Sequence, residues 1–275
     1  MDDLKTLTLL ARGGQSDIYA LGEDRIIRVP RRSQDHERIR YEYDVYRQLD
    51  GSGLDVPRAY ELVEIRGSPC IVMQRITGLT MTDEIKRRPF SLKEAARELA
   101  ALHLAVLATR GGDAVVKATD KARFCITASA SFTPEEKATL TGLVSSLPEG
   151  SALCHGDFHP GNIMRDRGRT WIIDWSAASR GDPVSDIAHT YLLLSTVPRV
   201  PGISGPENAV RKLLAGWMAR AYLKEMALLR PFDRSLLHRW LVIKAAERTW
   251  YGLPDEKRRQ ERLVRRWLGS RRRST

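Results

Sequence analysis

The sequence is poor in cysteine and has no long apolar run. Its three cysteines, Cys70, Cys125 and Cys154, are scattered and form no Cys-x-x-Cys pair. This argues against a disulfide framework and is typical of a reduced, cytoplasmic protein. No apolar stretch approaches the roughly 20 residues that a membrane-spanning helix needs. The opening residues, MDDLKTLTLLARGG, begin acidic and hold only a short apolar run, unlike a signal peptide. We therefore expect a cytoplasmic protein without a membrane partner.

Acidic residues are scarce relative to basic ones, with 34 Asp and Glu against 45 Lys and Arg, and the formal net charge is +11. This excess is local. Residues 257–275 hold nine Lys or Arg and one Glu, a net charge of +8, which leaves +3 for the rest of the chain. Such a tail is typical of a solvated helix end with a frayed terminus. Nucleic acid is therefore not the expected partner, although weak binding of RNA or anionic lipid stays open.

What is present suits a globular protein of one or two domains, since 42% of the 275 residues are hydrophobic and 29% are charged. Up to about residue 80 the pattern favours strands, at 7–14, 17–30, 59–65 and 69–76, around one helix at 33–51. Helical patterns then dominate, at 91–110, 134–147, 184–197, 208–229 and 235–250. The sequence predicts a small β-lobe and a larger helical lobe with a cleft between them. It does not indicate the oligomeric state.

The most informative segment is LCHGDFHPGNIMRDRGRTWIIDW, residues 153–175. It predicts a loop rich in His, Gly, Pro and Asp, followed by two short strands, NIM and TWIID, around a turn. Asp157 and Asn162 lie on the loop, and Asp174 follows at the end of the second strand. A hairpin that folds back on its preceding loop can bring these three side chains together.

Two carboxylates and an amide oxygen suit phosphoryl transfer. Magnesium prefers oxygen ligands and shares its coordination shell with phosphate oxygens and water. A free carboxylate is then needed to orient a hydroxyl group and accept its proton, while the rest of catalysis is positioning and charge stabilisation. His155 and His159 lack the helical spacing of a zinc pair and are expected to shape the loop by hydrogen bonds. His103, within an apolar helical pattern, is expected in the core.

HGDFHPGNIM and IIDW resemble the paired motifs of the aminoglycoside phosphotransferase and choline kinase superfamily, distant relatives of the protein kinases. The resemblance implies an α+β, protein-kinase-like fold of two lobes. Residues 1–76 would form a small antiparallel β-sheet lobe with one helix, and residues 77–275 a larger, mainly helical lobe. It also implies that Asp157 is the catalytic base and that Asn162 and Asp174 hold Mg²⁺.

The resemblance assigns ATP, with GTP as an alternative, to the N-terminal lobe. Gly13, Gly14 and Gln15 stand where the family has its phosphate-covering loop, and glycine lets backbone N–H groups approach phosphates closely. Arg28 stands where kinases have the lysine that clasps the α- and β-phosphates. Arginine keeps the charge and can grip phosphate bidentately. Arg31 is a competing candidate.

Three further assignments follow from the same resemblance. Arg32 is a second competitor of Arg28. The helical partner that orients Arg28 would be Glu42, with Glu37 as the alternative. The backbone from Gln74 to Ile76 would meet the adenine edge, and Asp186 would brace the catalytic loop by hydrogen bonds to its backbone.

The acceptor is less well defined. A cationic acceptor needs an acidic or aromatic pocket, and the C-terminal helices carry both kinds of residue, although most of their aromatic residues are expected in the core. The basic terminus argues against a polycationic acceptor. The aromatic residues are Trp217, Tyr222, Trp240, Trp250, Tyr251 and Trp267.

Three hypotheses follow. The first is a small-molecule kinase that transfers the γ-phosphoryl group of ATP to a hydroxyl of an aminoglycoside-like or amino-alcohol acceptor, with antibiotic resistance as one role. The second is a kinase-fold nucleotide-binding regulator with little turnover, which only Arg28 favours. The third is a nucleic-acid-binding protein whose salt-dependent binding is lost on removal of residues 257–275. Protein-kinase activity is disfavoured because no long activation segment follows Asp174.

Overall fold

A computed structural model of the chain describes residues 6–196, 204–250 and 254–271. The chain forms two compact units. The first takes the residues up to 87 and a returning segment at 160–178, and the second takes 88–159 and the residues from 179 onward. Residues 77–87 and 160–178, which the sequence assigns to the helical lobe, thus belong to the first unit. The predicted boundary at residue 76 between the two lobes stays a prediction.

An antiparallel five-stranded sheet forms most of the first unit, in the order β1-β2-β3-β5-β4. Its core contains Ile27, Ile65, Cys70 and Val72. The predicted strands are present, and a three-residue loop at 13–15 joins the first two. The strands are β1 (Leu9–Arg12), β2 (Ser16–Leu21), β3 (Arg25–Pro30), β4 (Ala59–Ile65) and β5 (Ser68–Gln74).

Helix α1 (His36–Leu49) lies between β3 and β4 in sequence. It buries Ile39, Tyr46 and Leu49 at the predicted helical spacing. The helix ends just before Gly51, whose φ of 80° is a left-handed conformation that glycine adopts without strain. The same buried face carries Glu42, which is 0% exposed. A buried acid on an apolar face requires a partner.

A three-stranded sheet of order β6-β8-β9 completes the first unit. The predicted hairpin is confirmed as β8 (Ile163–Asp166) and β9 (Arg169–Ile172), with the two strands antiparallel. The sequence did not predict the short β6 (Leu79–Thr80), which pairs with β8 and leads into α2 (Met81–Arg87). The pairing of β6 with β8 explains why residues 160–178 belong to the first unit and not to the second, helical unit.

Helices form the second unit, together with the short antiparallel pair β7 (Ala152–Cys154) and β10 (Ser179–Gly181). All the predicted helices are present, although the predicted end at residue 197 lies outside the described residues. The sequence missed α4, whose buried residues are mostly small, so its apolar stripe is weak. The helices are α3 (Leu92–Ala108), α4 (Ala118–Ala128), α5 (Pro134–Ser145), α6 (Pro183–Ser195), α7 (Gly205–Leu229), α8 (Arg234–Arg248) and α9 (Pro254–Arg271).

The basic C-terminal segment is more ordered than predicted. As far as residue 271 it is the helix α9, which packs on α8. Its buried residues Gln260, Val264 and Leu268 recur every fourth position and are 1%, 0% and 7% exposed. The expectation of a solvated helix end is therefore wrong for this face of α9. Residues 272–275 lie outside the described part of the chain.

The aromatic residues of the C-terminal helices differ in their burial, and Trp267 is half-buried. Tyr222 and Trp240 are fully buried, as expected. Trp217 and Trp250 are 39% and 44% exposed, so the expectation of a core position is wrong for them. Tyr251 lies outside the described residues. None of the helices that the structure describes is long and apolar enough to cross a membrane.

We expect Gly78→Ala to destabilise the first unit. A Cβ at Gly78 would lie 1.5 Å from the backbone oxygen of Arg165 on β8, so the two segments would have to separate. The free energy of unfolding in urea should fall by about 2–3 kcal/mol. The matched control is Gly142→Ala in α5, where a Cβ would meet no atom within 4 Å. That change should stabilise by up to about 1 kcal/mol, and equal effects of the two changes would contradict the prediction.

Candidate active site

Arg28 on β3 is shared by two carboxylates of the first unit. Its Nε lies 3.1 Å from Glu42 Oε2 on α1, and its Nη2 lies 3.3 Å from Asp174 Oδ1. The predicted partner Glu42 is therefore in place, whereas the alternative, Glu37, is exposed on the same helix. The competitor Arg31 is 46% exposed and lies 3.7 Å from Asp17.

The second competitor, Arg32, is also exposed. Arg28 itself is only 14% exposed at its side chain. Among the three arginines of this region, Arg28 is thus the one that joins α1 to the segment after β9.

Burial and charge act against each other in this cluster. Burial alone would lower the pKa of Arg28, but Glu42 and Asp174 hold that pKa well above its usual value. The pKa of Glu42 is raised to about 7, first by burial and also by Asp174, against the lowering effect of Arg28. At Glu42 the effect of burial therefore outweighs the attraction of the Arg28 guanidinium.

Asp174 is fixed through its backbone and its side chain. Its φ of 62° and ψ of 68° are left-handed, a conformation that non-glycine residues seldom adopt and that is typical of functional sites. Its N–H donates to Tyr46 Oη at 3.1 Å, and its Oδ1 accepts from Ser176 Oγ at 2.8 Å. Arg38 donates to the same Ser176 oxygen at 2.8 Å. The sequence did not assign these supporting residues, although Tyr46 belongs to the predicted buried face of α1.

Asn162 is brought beside the segment of Asp174 by the β8–β9 pair. It directly precedes β8, and Asp174 is the second residue after the end of β9. The N–H of Ile173 donates to the backbone oxygen of Asn162 at 3.0 Å, so the hairpin closes at the two candidate ligands. No group of three or more His, Cys, Asp and Glu suited to a metal occurs in the described part of the chain. One carboxylate and one amide fit Mg²⁺, which takes few protein ligands, and not zinc.

The glycine-rich loop is a tight, exposed hairpin turn. Gly13 N–H donates to the Ser16 backbone oxygen at 2.9 Å, and a Cβ at Gly13 would lie 2.8 Å from that oxygen. Gly13 is therefore required by the turn itself. A Cβ at Gly14 would meet nothing within 4 Å. The Gln15 backbone oxygen accepts from Arg31 N–H at 2.9 Å. The open side of the loop is thus at Gly14.

The segment after β5 has one backbone donor left over. Gln74 N–H donates to Arg58 at 2.8 Å and Arg75 N–H donates to Asp24 at 2.8 Å. Ile76 N–H donates to no other group in the described ranges. Of the backbone from Gln74 to Ile76 that the sequence assigns to adenine, Ile76 retains an N–H that a base can use.

In the second unit, Asp186 on α6 holds the loop that carries Asp157. Its two oxygens accept from the N–H groups of His155 at 2.6 Å and Gly156 at 2.9 Å. Asp186 is 1% exposed and also lies 3.0 Å from His103 Nε2. His103 Nδ1 in turn lies 2.5 Å from Tyr222 Oη. The predicted bracing role of Asp186 and the core position of His103 are both confirmed.

Asp157 is surrounded by histidines. Its N–H donates to His155 Nδ1 at 3.2 Å, which confirms a loop-shaping role for His155, and its Oδ2 lies 3.7 Å from His159 Nε2. Burial acts to raise the pKa of Asp157, but His159, His155 and His189 hold it well below its usual range. His189 on α6 was not predicted. Asp157 is therefore ionised at neutral pH and 37% exposed, so it can accept a hydrogen bond.

Comparison with solved structures defines the class of fold. A mutant of aminoglycoside phosphotransferase APH(4)-Ia, in a ternary complex with AMP-PNP and hygromycin B, is similar with a TM-score of 0.61 and 19% identity, covering 94% of this chain and 92% of that chain. ADP-bound APH(2'')-Ib gives 0.59 and 18% identity, covering 94% and 93%. The streptomycin–ATP–APH(2'')-IIa complex gives 0.59 and 18% identity, covering 95% and 91%. The predicted α+β, protein-kinase-like fold is confirmed.

The family follows from the sequence match. A family model described as the phosphotransferase enzyme family matches residues 6–227. The chain therefore belongs to this family, and its class of activity is phosphoryl transfer. A comparison with curated proteins found no match.

We expect Asp186→Asn to lower the free energy of unfolding by about 3 kcal/mol, because two backbone N–H groups and His103 lose a buried carboxylate. The control Asp120→Asn changes an acid that is 65% exposed and should cost less than about 0.5 kcal/mol. Hydrogen bonding and nearby histidines hold the pKa of Asp186 below its usual value despite burial.

As the pH decreases, the Asp186 carboxylate is therefore protonated in the unfolded chain before it is protonated in the folded protein. The free energy of unfolding consequently falls as the pH decreases below about 4. Urea unfolding of the wild type should show this loss, and Asp186→Asn should show less of it. Identical pH profiles would contradict the bracing role of the ionised carboxylate.

Proposed function

We propose that the protein is a small-molecule kinase that transfers the γ-phosphoryl group of ATP, with GTP as an alternative, to a hydroxyl of an aminoglycoside-like or amino-alcohol acceptor. The observation that carries the proposal is the Arg28 guanidinium between Glu42 and Asp174 in a member of the phosphotransferase enzyme family. It supports a prearranged phosphate-binding cation beside a candidate metal ligand.

The nucleotide would bind the first unit. Arg28 would grip the α- and β-phosphates, with Glu42 holding its guanidinium in place. Backbone N–H groups of the loop Gly13–Gln15 would cover the phosphates at the open position of Gly14. The spare N–H of Ile76 would donate to the adenine edge. Adenine and guanine differ in their hydrogen-bonding groups, so this backbone contact also bears on the choice between ATP and GTP.

Asn162 and Asp174 would hold Mg²⁺. When bound, the ion would supply charge stabilisation to the phosphates. The fit rests on the oxygen ligands at the closing end of the β8–β9 hairpin. Ser176 and Tyr46 would keep Asp174 in its orientation.

Asp157 would accept a hydrogen bond from the acceptor hydroxyl and take its proton. Its low pKa makes it a weak base, so its main contribution would be to orient the hydroxyl in line with the phosphoryl group. This is sufficient for phosphoryl transfer, because the loose transition state requires little proton abstraction until the new bond forms. The histidine contacts keep the carboxylate ionised at every pH near neutral.

The acceptor class rests on the fold relatives. Two of them were solved with hygromycin B and with streptomycin, which are hydroxyl-bearing aminoglycosides. If an aminoglycoside is the acceptor, we propose a role in antibiotic resistance. We also propose a cytoplasmic location. The regulator hypothesis, in which the same fold binds nucleotide with little turnover, is disfavoured because Arg28 is held by its expected partner Glu42 and also contacts Asp174.

We expect Asp157→Ala to lower kcat at least about 100-fold and leave MgATP affinity nearly unchanged, because Asp157 acts on the acceptor. Asp174→Ala should instead weaken Mg²⁺-dependent nucleotide binding. Nucleoside diphosphate release should be measured with MgATP and MgGTP across aminoglycosides, choline, ethanolamine, other amino alcohols and sugars, and nucleotide affinity by calorimetry.

Acceptor-stimulated release that disappears in Asp157→Ala would identify the acceptor class. Near-normal turnover in Asp157→Ala would refute the base assignment, and unchanged MgATP affinity in Asp174→Ala would refute the metal assignment. Nucleotide binding without turnover on any acceptor would favour the regulator hypothesis, and no nucleotide binding would refute the proposal.

Glu42→Gln and Glu37→Gln form a matched pair on α1. Glu42→Gln removes the charge that holds Arg28 and should raise the Kd for MgATP about tenfold, the effect of losing one charge-assisted contact. Glu37→Gln, on the exposed face, should leave that Kd unchanged. Isothermal titration of both variants tests the assignment, and equal Kd values for the two would show that Glu42 does not orient the phosphate-binding arginine.

A further inference from the structure

A basic groove lies along the outer face of α9 in the second unit. It has a volume of about 460 Å³. Residues of α9 at helical spacing form one wall, and His238 of α8 contributes to the other. The lining residues on α9, from Arg259 to Ser270, span about 16 Å along the helix axis. The lining residues are His238, Arg259, Arg262, Leu263, Arg266, Trp267 and Ser270.

The arginines of this groove lack acidic partners, unlike neighbouring ones. Arg248 pairs with Glu256, and Arg265 lies 3.8 Å from Glu136. Among the side chains that the structure describes, no carboxylate pairs with the three groove arginines, and the groove lining contains no acid. The three arginines without an acidic partner are Arg259, Arg262 and Arg266. Exposed guanidinium groups in a row, without counter-charge, attract polyanions.

The groove also offers an aromatic surface. The half-buried Trp267 lines it, and the guanidinium of Arg271 lies 5.2 Å from the centre of that ring. The large apolar side chains of α9, such as Val264 and Leu268, face the interior. In the described part of α9 no large hydrophobic residue is exposed. A helix that lies on a membrane needs such an exposed apolar face, so a lipid surface is the poorer match.

We propose that this groove binds single-stranded nucleic acid. The three arginines would contact successive phosphates, and Trp267 would stack on a base, the combination by which proteins bind single strands without reading their sequence. Neither contact depends on the 2′-hydroxyl group, so RNA and DNA should bind alike. The groove lies beyond residue 227, where the family match ends, and the inference is independent of the proposed kinase activity.

Removal of the C-terminal segment would not test this proposal. Val264 and Leu268 of α9 are 0% and 7% exposed, so a truncation would also remove part of the core. Substitution of exposed side chains avoids this difficulty. Arg262→Gln/Arg266→Gln keeps Arg259, which donates to the backbone oxygen of Ser195. The matched control is Lys212→Gln/Arg220→Gln, which removes the same charge from exposed positions of α7.

The experiment is fluorescence anisotropy with labelled RNA and DNA strands of about 12 nucleotides, using the full chain. The wild type should show a log Kd that rises with log salt concentration at a slope of about 2, for three phosphate contacts. The groove variant should bind at least about tenfold more weakly at low salt, with a slope reduced by about 1.4. Trp267→Leu should weaken binding about tenfold without changing the slope. Melting temperatures establish that the variants are folded.

Three outcomes would overturn the proposal. The first is no anisotropy change at about 50 mM salt. The second is an equal loss in the α7 control, which would assign binding to net charge alone. The third is binding to phosphatidylserine-containing vesicles without binding to either strand, which would make the groove a lipid-headgroup site.

Discussion

The first unit depends on one buried guanidinium that holds two carboxylates. Arg28 connects a strand, a helix and the segment after β9, through two different nitrogen atoms at 3.1 and 3.3 Å from their acceptors. The ammonium group of a lysine is a compact point charge, whereas the planar fork of arginine presents separate donors in fixed directions. The fork of Arg28 can therefore hold both carboxylates at once. Without it, a fully buried Glu42 would lose its cation, which is a severe cost in a protein interior.

The second unit uses the opposite arrangement, in which one buried carboxylate holds several donors. Asp186 accepts from two successive backbone N–H groups and from His103, so the loop before Asp157 is fixed by its backbone. The Asp157 side chain remains partly exposed. A rigid backbone with an accessible carboxylate is what an orienting group requires, because positioning contributes only when the group is held before the substrate arrives.

The sequence predicted the parts of this molecule that a periodic pattern or a paired motif determines. The five strands, α1 and most helices follow from apolar spacing and are confirmed. The roles of Asp157, Asn162 and Asp174, which come from two motifs, stay predictions. Short elements such as β6 were missed, because two residues are stabilised by pairing with β8 and not by their own propensity. The contacts of Tyr46 and Ser176 with Asp174 were missed for a similar reason. They depend on the left-handed backbone at Asp174, which no local pattern specifies.

Helix α9 shows how charge can conceal packing. Its arginines dominate the composition, so the segment resembles a solvated tail, yet Gln260, Val264 and Leu268 form a buried stripe against α8. A helix needs only one residue per turn on its inner face to pack, and the remaining positions are then unconstrained by the core. To keep the protein soluble, the outer face of α9 could carry charges of either sign, or charges that are paired. A row of arginines without acidic partners, beside other arginines that have them, is therefore not required by folding, and the proposed binding of a polyanion would account for that pattern.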